Sequence, residues 1–209
     1  MENKASIRVR LLDHQMSDDL LKETVYRLVA GGATEIVVLP TQIARVKYLL
    51  ADSAIQIGSV IDFPLGASTV EKKVFEAAHA YQAGAGFLEV CVNLADIFEH
   101  PVRVKELRES LFSLALSNGK LSFYLDTRQV KELTLVKFER AMKPLGWTRL
   151  SLGEDLPYRE ALRLAEIFKS DTATKLALTI NVHQITSQEK QKLVANGITR
   201  IAISHLNFS

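Results

Sequence analysis

Side chains able to move a proton or grip a cation recur in this chain just after short apolar runs or within them. Asp13 and His14 follow residues 7–12, Glu89 lies within 87–92, Asp126 follows 121–125, His183 comes soon after 176–180, and His205 follows 200–203. Imidazole titrates near neutrality and carboxylates accept protons, so Glu89, Asp126 and His183 are candidates for acid–base chemistry on a small carbonyl or hydroxyl compound. Gathered together, the same groups could hold a divalent metal. The metal reading is the weaker, because the groups come from separate runs with no short spacing such as His-x-His; neither a metal nor another cofactor is expected. Cys91 is the single cysteine, which excludes an internal disulfide, and its place inside an apolar run makes it a packed residue rather than a nucleophile. His79 on a helix face and His100 in a loop read as solvated.

The elements that would bring these groups together follow a steady rhythm. Strand-like runs cover residues 7–12, 35–39, 56–61, 87–92, 121–125, 147–150, 176–180 and 200–203. Between them lie stretches with apolar residues three and four apart, among them Leu20-Leu21-Val25-Leu28-Val29, Val74-Ala77-Ala78-Tyr81 and Leu162-Leu164-Ala165-Ile167-Phe168. Gly31-Gly32, Gly84 and Asn196-Gly197 read as helix stops. Helical crossovers require parallel strands, and eight such units in 209 residues predict an α/β chain folded as one minimal (β/α)8 TIM barrel spanning residues 1–209. An open flavodoxin-like sheet normally needs fewer strands. In a barrel the candidate groups would meet at the carboxyl ends of the strands. Trp147 and Phe87 begin strands and read as packing residues, and Lys72-Lys73 reads as an exposed helix turn.

Only residues 205–209 follow the eighth strand, so no eighth helix is expected. The outward side chains Ile201 and Ile203 would then need a cover beyond Leu206 and Phe208, which predicts an exposed apolar patch and a homo-oligomer, most simply a two-fold dimer at this seam. The net charge of +2, from 26 basic and 24 acidic residues spread along the chain, gives no nucleic-acid footprint and no membrane-binding face. No run approaches the roughly 18 apolar residues of a membrane span, and the first residues lack an apolar leader core, so the expected location is the cytoplasm.

Five segments carry a family likeness in collinear order. Gly58-Ser59-Val60-Ile61-Asp62-Phe63-Pro64-Leu65-Gly66-Ala67 is the strongest. Leu11-Leu12-Asp13-His14, the run from Ala83 through Glu89 to Asn93, Tyr124-Leu125-Asp126-Thr127, and Asn196-Gly197-Ile198-Thr199-Arg200-Ile201 accompany it. Together they resemble deoxyribose-phosphate aldolase, a TIM-barrel class I aldolase family. The resemblance implies reversible cleavage of 2-deoxyribose 5-phosphate to glyceraldehyde 3-phosphate and acetaldehyde through a Schiff-base lysine.

Carried over residue by residue, the likeness also implies that this chemistry is missing. The lysine nucleophile falls on Arg149, in Arg149-Leu150-Ser151-Leu152-Gly153, the second lysine on Thr179 and the proton-moving aspartate on Glu89. An arginine stays protonated and forms no such imine. Asn181-Val182-His183 stands where the family's glycines let backbone approach a phosphate, and Glu154 follows Gly153. A buried Glu89–Arg149 ion pair is expected in place of the catalytic set. Asp13, Asn93, Asp126, Ser151, Gly153, His183 and Ser204 are the candidate ligand-binding positions in the barrel mouth. The expected protein is thus a degenerate aldolase relative that holds a small molecule; the alternative is an enzyme using acid–base chemistry in the same mouth.

Overall fold

Strand β1 (Ser6–Leu11) alternates Arg8 and Arg10 with Val9 and Leu11, and this alternation sets the plan of the whole molecule. Side chains of a strand point alternately to its two faces. Val9 and Leu11 join a large apolar cluster packed between strands and helices, while the arginines point into the barrel. The computed structural model of the protein describes residues 6–51, 53–115, 120–128, 130–169 and 176–204.

The remaining strands are β2 (Glu35–Val38), β3 (Gln56–Ile61), β4 (Phe87–Cys91), β5 (Lys120–Leu125), β6 (Arg149–Leu156), β7 (Ala177–Val182) and β8 (Arg200–Ile203). All pair in parallel and in sequence order, and β8 closes on β1 through Ser6↔Arg200 and Val9↔Ile203. The expected closed eight-stranded TIM barrel is therefore the fold. The helices are α1 (Asp18–Ala30), α2 (Ile43–Leu50), α3 (Val70–Ala83), α4 (Leu94–Glu99), α5 (Pro101–Ala115), α6 (Glu132–Met142), α7 (Tyr158–Lys169) and α8 (Ser187–Ala195).

Local chemistry starts and stops these helices. Ser17 and Thr69 accept backbone N–H bonds as N-caps of α1 and α3, and Thr186 with Glu189 forms a capping box on α8. Gly84 ends α3 at φ 115°, a left-handed conformation that suits glycine. Each amphipathic helix buries a narrow stripe: Leu21, Val25 and Leu28 on α1, and Ala161, Leu164, Ala165 and Phe168 on α7, whereas Leu20 and Val29 stay exposed. Under the fifth and sixth strands Phe123 packs edge-on against Phe138 and Trp147, at centroid distances of 5.4 and 5.3 Å. Inside the barrel the apolar filling is small, consisting of Val37, Val60 and Phe87 with Leu12, Leu39 and Phe63 packed against them.

Two expectations change. Strand β6 runs well past residue 150, because Gly153, Glu154 and Asp155 do not end it but form a bulge: Leu152 pairs with Ile180 and Leu156 with Val182, four residues advancing against two. Ile201, expected to need a partner, is 0% exposed within the single chain, and Ile203 is partly buried against the core. The seam is thus closed at Ile201 without a second copy. Leu206 and Phe208 lie outside the described residues, as does His205; among those described, no helix follows β8.

Candidate functional site: a charged ladder and the barrel mouth

A parallel strand buried on both faces has little room for ions, yet the axis of this barrel carries a continuous file of them. At one end Arg200 Nε meets Glu35 Oε2 at 2.9 Å. The same oxygen accepts from Arg8 Nε at 2.9 Å, and Arg8 Nη1 continues to Glu89 Oε1. The other Glu89 oxygen accepts from Arg10 Nη1, and Arg10 Nη2 reaches Glu154 Oε2 at 2.8 Å, where Tyr124 Oη also donates at 2.7 Å. Three guanidinium groups alternate with three carboxylates, so the file is neutral as a whole. Arg8 lies 4.2 Å over the Phe87 ring and Arg10 5.1 Å over Tyr124, which gives the flat faces of both cations a partner.

Burial explains why the file must be continuous. Glu89 is 0% exposed, and Arg8 and Arg10 are 2% exposed; removing one ion would leave its neighbour charged and dry, at a cost of about 3–5 kcal/mol. Burial by itself would raise the Glu89 pKa, but Arg10 and Arg8 outweigh it and, with the Ser151 hydroxyl, hold the carboxyl below its usual range. Burial opposes the charge on Arg10 as well, and Glu89 and Glu154 more than compensate, raising its pKa. Arg200 is the exception: burial, together with Arg8 and Arg149 nearby, outweighs Glu35 and lowers its pKa.

A neutral network braces the ladder from one side. Ser151 Oγ donates to Glu89 Oε1 at 3.0 Å, and Asn181 Nδ2 donates to Ser151 Oγ at 3.1 Å and to the Gly153 carbonyl at 2.8 Å. Gly153 has φ 80°, and a Cβ there would lie 2.2 Å from Leu156 Cδ1, so the bulge requires a glycine. That bulge aims Glu154 at Arg10, and Asp155 at His183, whose Nδ1 is 2.8 Å from Asp155 Oδ1.

The expected Glu89–Arg149 pair is not what forms. Arg149 is the first residue of β6, and Ser151, two residues further on, is the one that reaches Glu89. Arg149 thus stands one inward step below the carboxylate, whereas Arg8 and Arg10 reach it from β1. Thr179 is buried on β7 and paired in register with Ser151. Of the remaining candidates, Asn93 caps α4 through Ala95 N, and Asp126 grips Arg128 with both oxygens, with Arg128 holding its carboxyl below the usual range despite burial. Asp13 accepts from Gln15 N and, with Ser204, lines a cavity of about 560 Å³ at the end of β1. His183 and Asp155 line a second, of about 770 Å³, above β6 and β7. The mouth therefore brings together Glu89, Ser151 and Gly153 around the ladder, places Asp13 and Ser204 beside it, and leaves Asn93 and Asp126 in local roles. Burial raises the Cys91 thiol far above its ordinary value, in keeping with a packed residue.

No protein-family model matches the chain. Among curated proteins it is similar to the deoxyribose-phosphate aldolase of Treponema denticola, 24% identical over 208 residues, 93% of this chain and 94% of that one. Shorter stretches match the deoxyribose-phosphate aldolase of Geobacillus sp., 30% identical over 49% of this chain and 50% of that one, and deoxyribose-phosphate aldolase 1 of Staphylococcus aureus, 42% identical over 40% and 38%. Among solved structures, the deoxyribose phosphate aldolase of Aeropyrum pernix superposes with TM-score 0.79 at 19% identity, covering 97% of this chain and 86% of that one. The chain is deoxyribose-phosphate aldolase-like. The barrel alone does not decide this, since an N-acetylmannosamine-6-phosphate 2-epimerase from Clostridium perfringens shares it at TM-score 0.64 and 14% identity.

In this aldolase-like chain the loop after β3 and the start of α3 build a second buried charge site. Lys73 is 3% exposed rather than an exposed turn. Its Nζ donates to the carbonyls of Gly66 and Ser68 at 2.8 and 2.7 Å and lies 2.7 Å from Asp62 Oδ2. Asp62 in turn accepts from Ser68 N and Oγ, and Glu76 accepts from Asp62 N at 3.1 Å. This pins the loop that lays Phe63 edge-on to Tyr124 above the ladder. The axial residues Arg8, Arg10, Glu35, Glu154 and Asn181 were not among the candidates. The signal for two of them is plain: arginines two apart in a strand that must be buried on both faces can only point into the barrel.

Proposed function

We propose that this chain holds a small molecule non-covalently in the barrel mouth and does not run the Schiff-base cleavage of 2-deoxyribose 5-phosphate. The observation that carries this reading is the ladder itself: the axis is filled by paired guanidinium and carboxylate groups, where Schiff-base chemistry needs a neutral amine. On the motif resemblance read from the sequence, the family's two lysines correspond to Arg149 and Thr179 and its aspartate to Glu89, whose two oxygens are engaged by two arginines, which supports a carboxylate that does not shuttle protons. Among the described lysines only Lys73 is buried, and it is committed to the loop after β3. A cytoplasmic homo-oligomer belongs to the same proposal; the tetramer formed by the Aeropyrum pernix enzyme supports assembly, and the seam at β8 does not. Borohydride treatment with 2-deoxyribose 5-phosphate or acetaldehyde is the test. No mass increment on any lysine is expected, and a stoichiometric adduct would overturn the proposal. Light scattering tests the assembly.

One observation favours acid–base chemistry as a second reading. His183 and Asp155 form a hydrogen-bonded dyad at the edge of the 770 Å³ cavity, the arrangement in which a carboxylate orients an imidazole. Turnover of a hydroxyl or carbonyl compound that disappears in His183→Gln, with the fold intact, would establish it.

A further inference from the structure

The cavity of about 560 Å³ between the end of β1, the start of α1 and the β6 bulge has a lining that specifies its occupant. At its floor, Arg10 is 2% exposed with both Nη atoms committed, yet its buried Nε has no hydrogen-bond partner; the Ser204 hydroxyl on the same cavity is also buried and unpartnered. Buried donors rarely stay unmade, so two at one cavity point to an oxygen that is to be bound there. The wall is apolar, made by Leu12, Met16 and Phe63. The rim is acidic: Asp13, and Asp155 with Oδ1 on His183, which the bulge holds at φ 53°. Arg27, also in the lining, is paired with Glu23, and Arg10 and Glu154 cancel within the ladder. Two carboxylates thus remain to set the sign at the entrance, and they repel a phosphate.

We infer that this cavity takes a small amphipathic amine, with a hydroxyl or carbonyl oxygen on Arg10 Nε and Ser204, a short apolar segment against Met16 and Phe63, and an ammonium between Asp13 and Asp155. Both atoms are closed off from the cavity in this structure, so binding requires a turn of the Ser204 side chain and a small shift of the Arg10 stem that opens Nε. The inference deepens the proposed non-covalent function by naming the ligand class, and it opposes a sugar phosphate at this position.

Three probes of one length and different end charge test it: 5-aminopentan-1-ol, pentane-1,5-diol and 5-hydroxypentanoate, titrated by ligand-observed NMR against the intact protein. The amine is expected to bind about tenfold more tightly than the diol, with the carboxylate weaker still, and the preference should shrink as salt is added. Asp13→Asn, an exposed position, should reduce the preference for the amine several-fold while leaving the diol unchanged. Ser204→Ala should weaken all three alike. Equal binding of the three, tighter binding of 5-hydroxypentanoate, or no binding of any would each overturn the inference. Because none of these probes carries an aldehyde, the outcome is independent of the borohydride result.

Discussion

Behind the loop after β3, a single lysine holds one carboxylate and two carbonyls; along the barrel axis, three arginines hold three carboxylates. Both sites bury cations, Lys73 in one and Arg8 and Arg10 in the other, and both satisfy them by hydrogen-bonded pairing rather than by solvent. They differ in where their residues come from. The Lys73 site is drawn from residues 62–76, one continuous segment. The ladder joins partners from 27 residues apart, Arg8 with Glu35, to 165 apart, Glu35 with Arg200 (200 less 35), contributed by β1, β2, β4, β6 and β8. The local site builds the mouth and the distant one fills it. The two sites therefore depend on different residues, and a change in one does not require a change in the other.

The sharpest way to break the comparison is to remove one ion from each site. Glu89→Gln leaves Arg8 and Arg10 without their shared carboxylate inside the barrel, and urea denaturation followed by Trp147 fluorescence should show a loss of about 3–5 kcal/mol. Lys73→Met removes a cation whose acceptors lie near the surface of one loop, and should cost less, about 1–3 kcal/mol, with faster amide exchange at Ser68. Equal losses in the two variants would mean that the ladder is no more interdependent than an ordinary loop contact.

Acid should separate the sites as well. The folded-state pKa of Glu89 is depressed below its ordinary 4.5, so its contribution is complete above that value and is lost as pH falls through the lower folded one. Glu76 runs the other way: burial, with Asp62 adding to it, raises its pKa, so protonation on acidification relieves the fold. Asp62 is held low in spite of burial, chiefly by Lys73 and then Ser68, and behaves like Glu89. Within the loop the two carboxylates act in opposite directions; on the axis, among the described residues, no carboxylate raised by burial offsets Glu89. The acid limb of a stability–pH profile should therefore flatten in Glu89→Gln and change little in Lys73→Met.

The sequence discloses the frame more readily than the contents. Eight short β-rich runs and their crossovers read directly as a closed parallel barrel, because period and punctuation are local. The helical stripe of α3 misleads by one position. Taken as Val74, Ala77, Ala78 and Tyr81, it leaves Lys73 in solvent, whereas the buried stripe is Lys73, Ala77 and Ala80, with the ammonium reaching back to loop carbonyls. Likewise Glu89 was legible as an axial carboxylate, but its partners were not. The motif resemblance points to Arg149 on β6, while Arg8 and Arg10 reach Glu89 across the barrel from β1. The β6 bulge that aims Glu154 and Asp155 has no sequence signature apart from Gly153, and turn-forming residues there read as the end of a strand.

The smallest effect belongs to a pair that looks strong on paper. Arg128 meets Asp126 through Nε and Nη2 at distances down to 2.6 Å, at the carboxyl end of β5 and close in sequence to Tyr124 of the ladder. Its guanidinium is 60% exposed, however, and the partners are two residues apart, so solvent screens the attraction and the chain gains little by ordering them. Arg128→Ala should change stability by less than about 0.5 kcal/mol. If instead it cost as much as Lys73→Met, proximity to the mouth rather than burial would be what makes a charge pair matter here. An unchanged binding profile for the three pentanol probes in the same variant would place Asp126 and Arg128 outside the cavity beside β1.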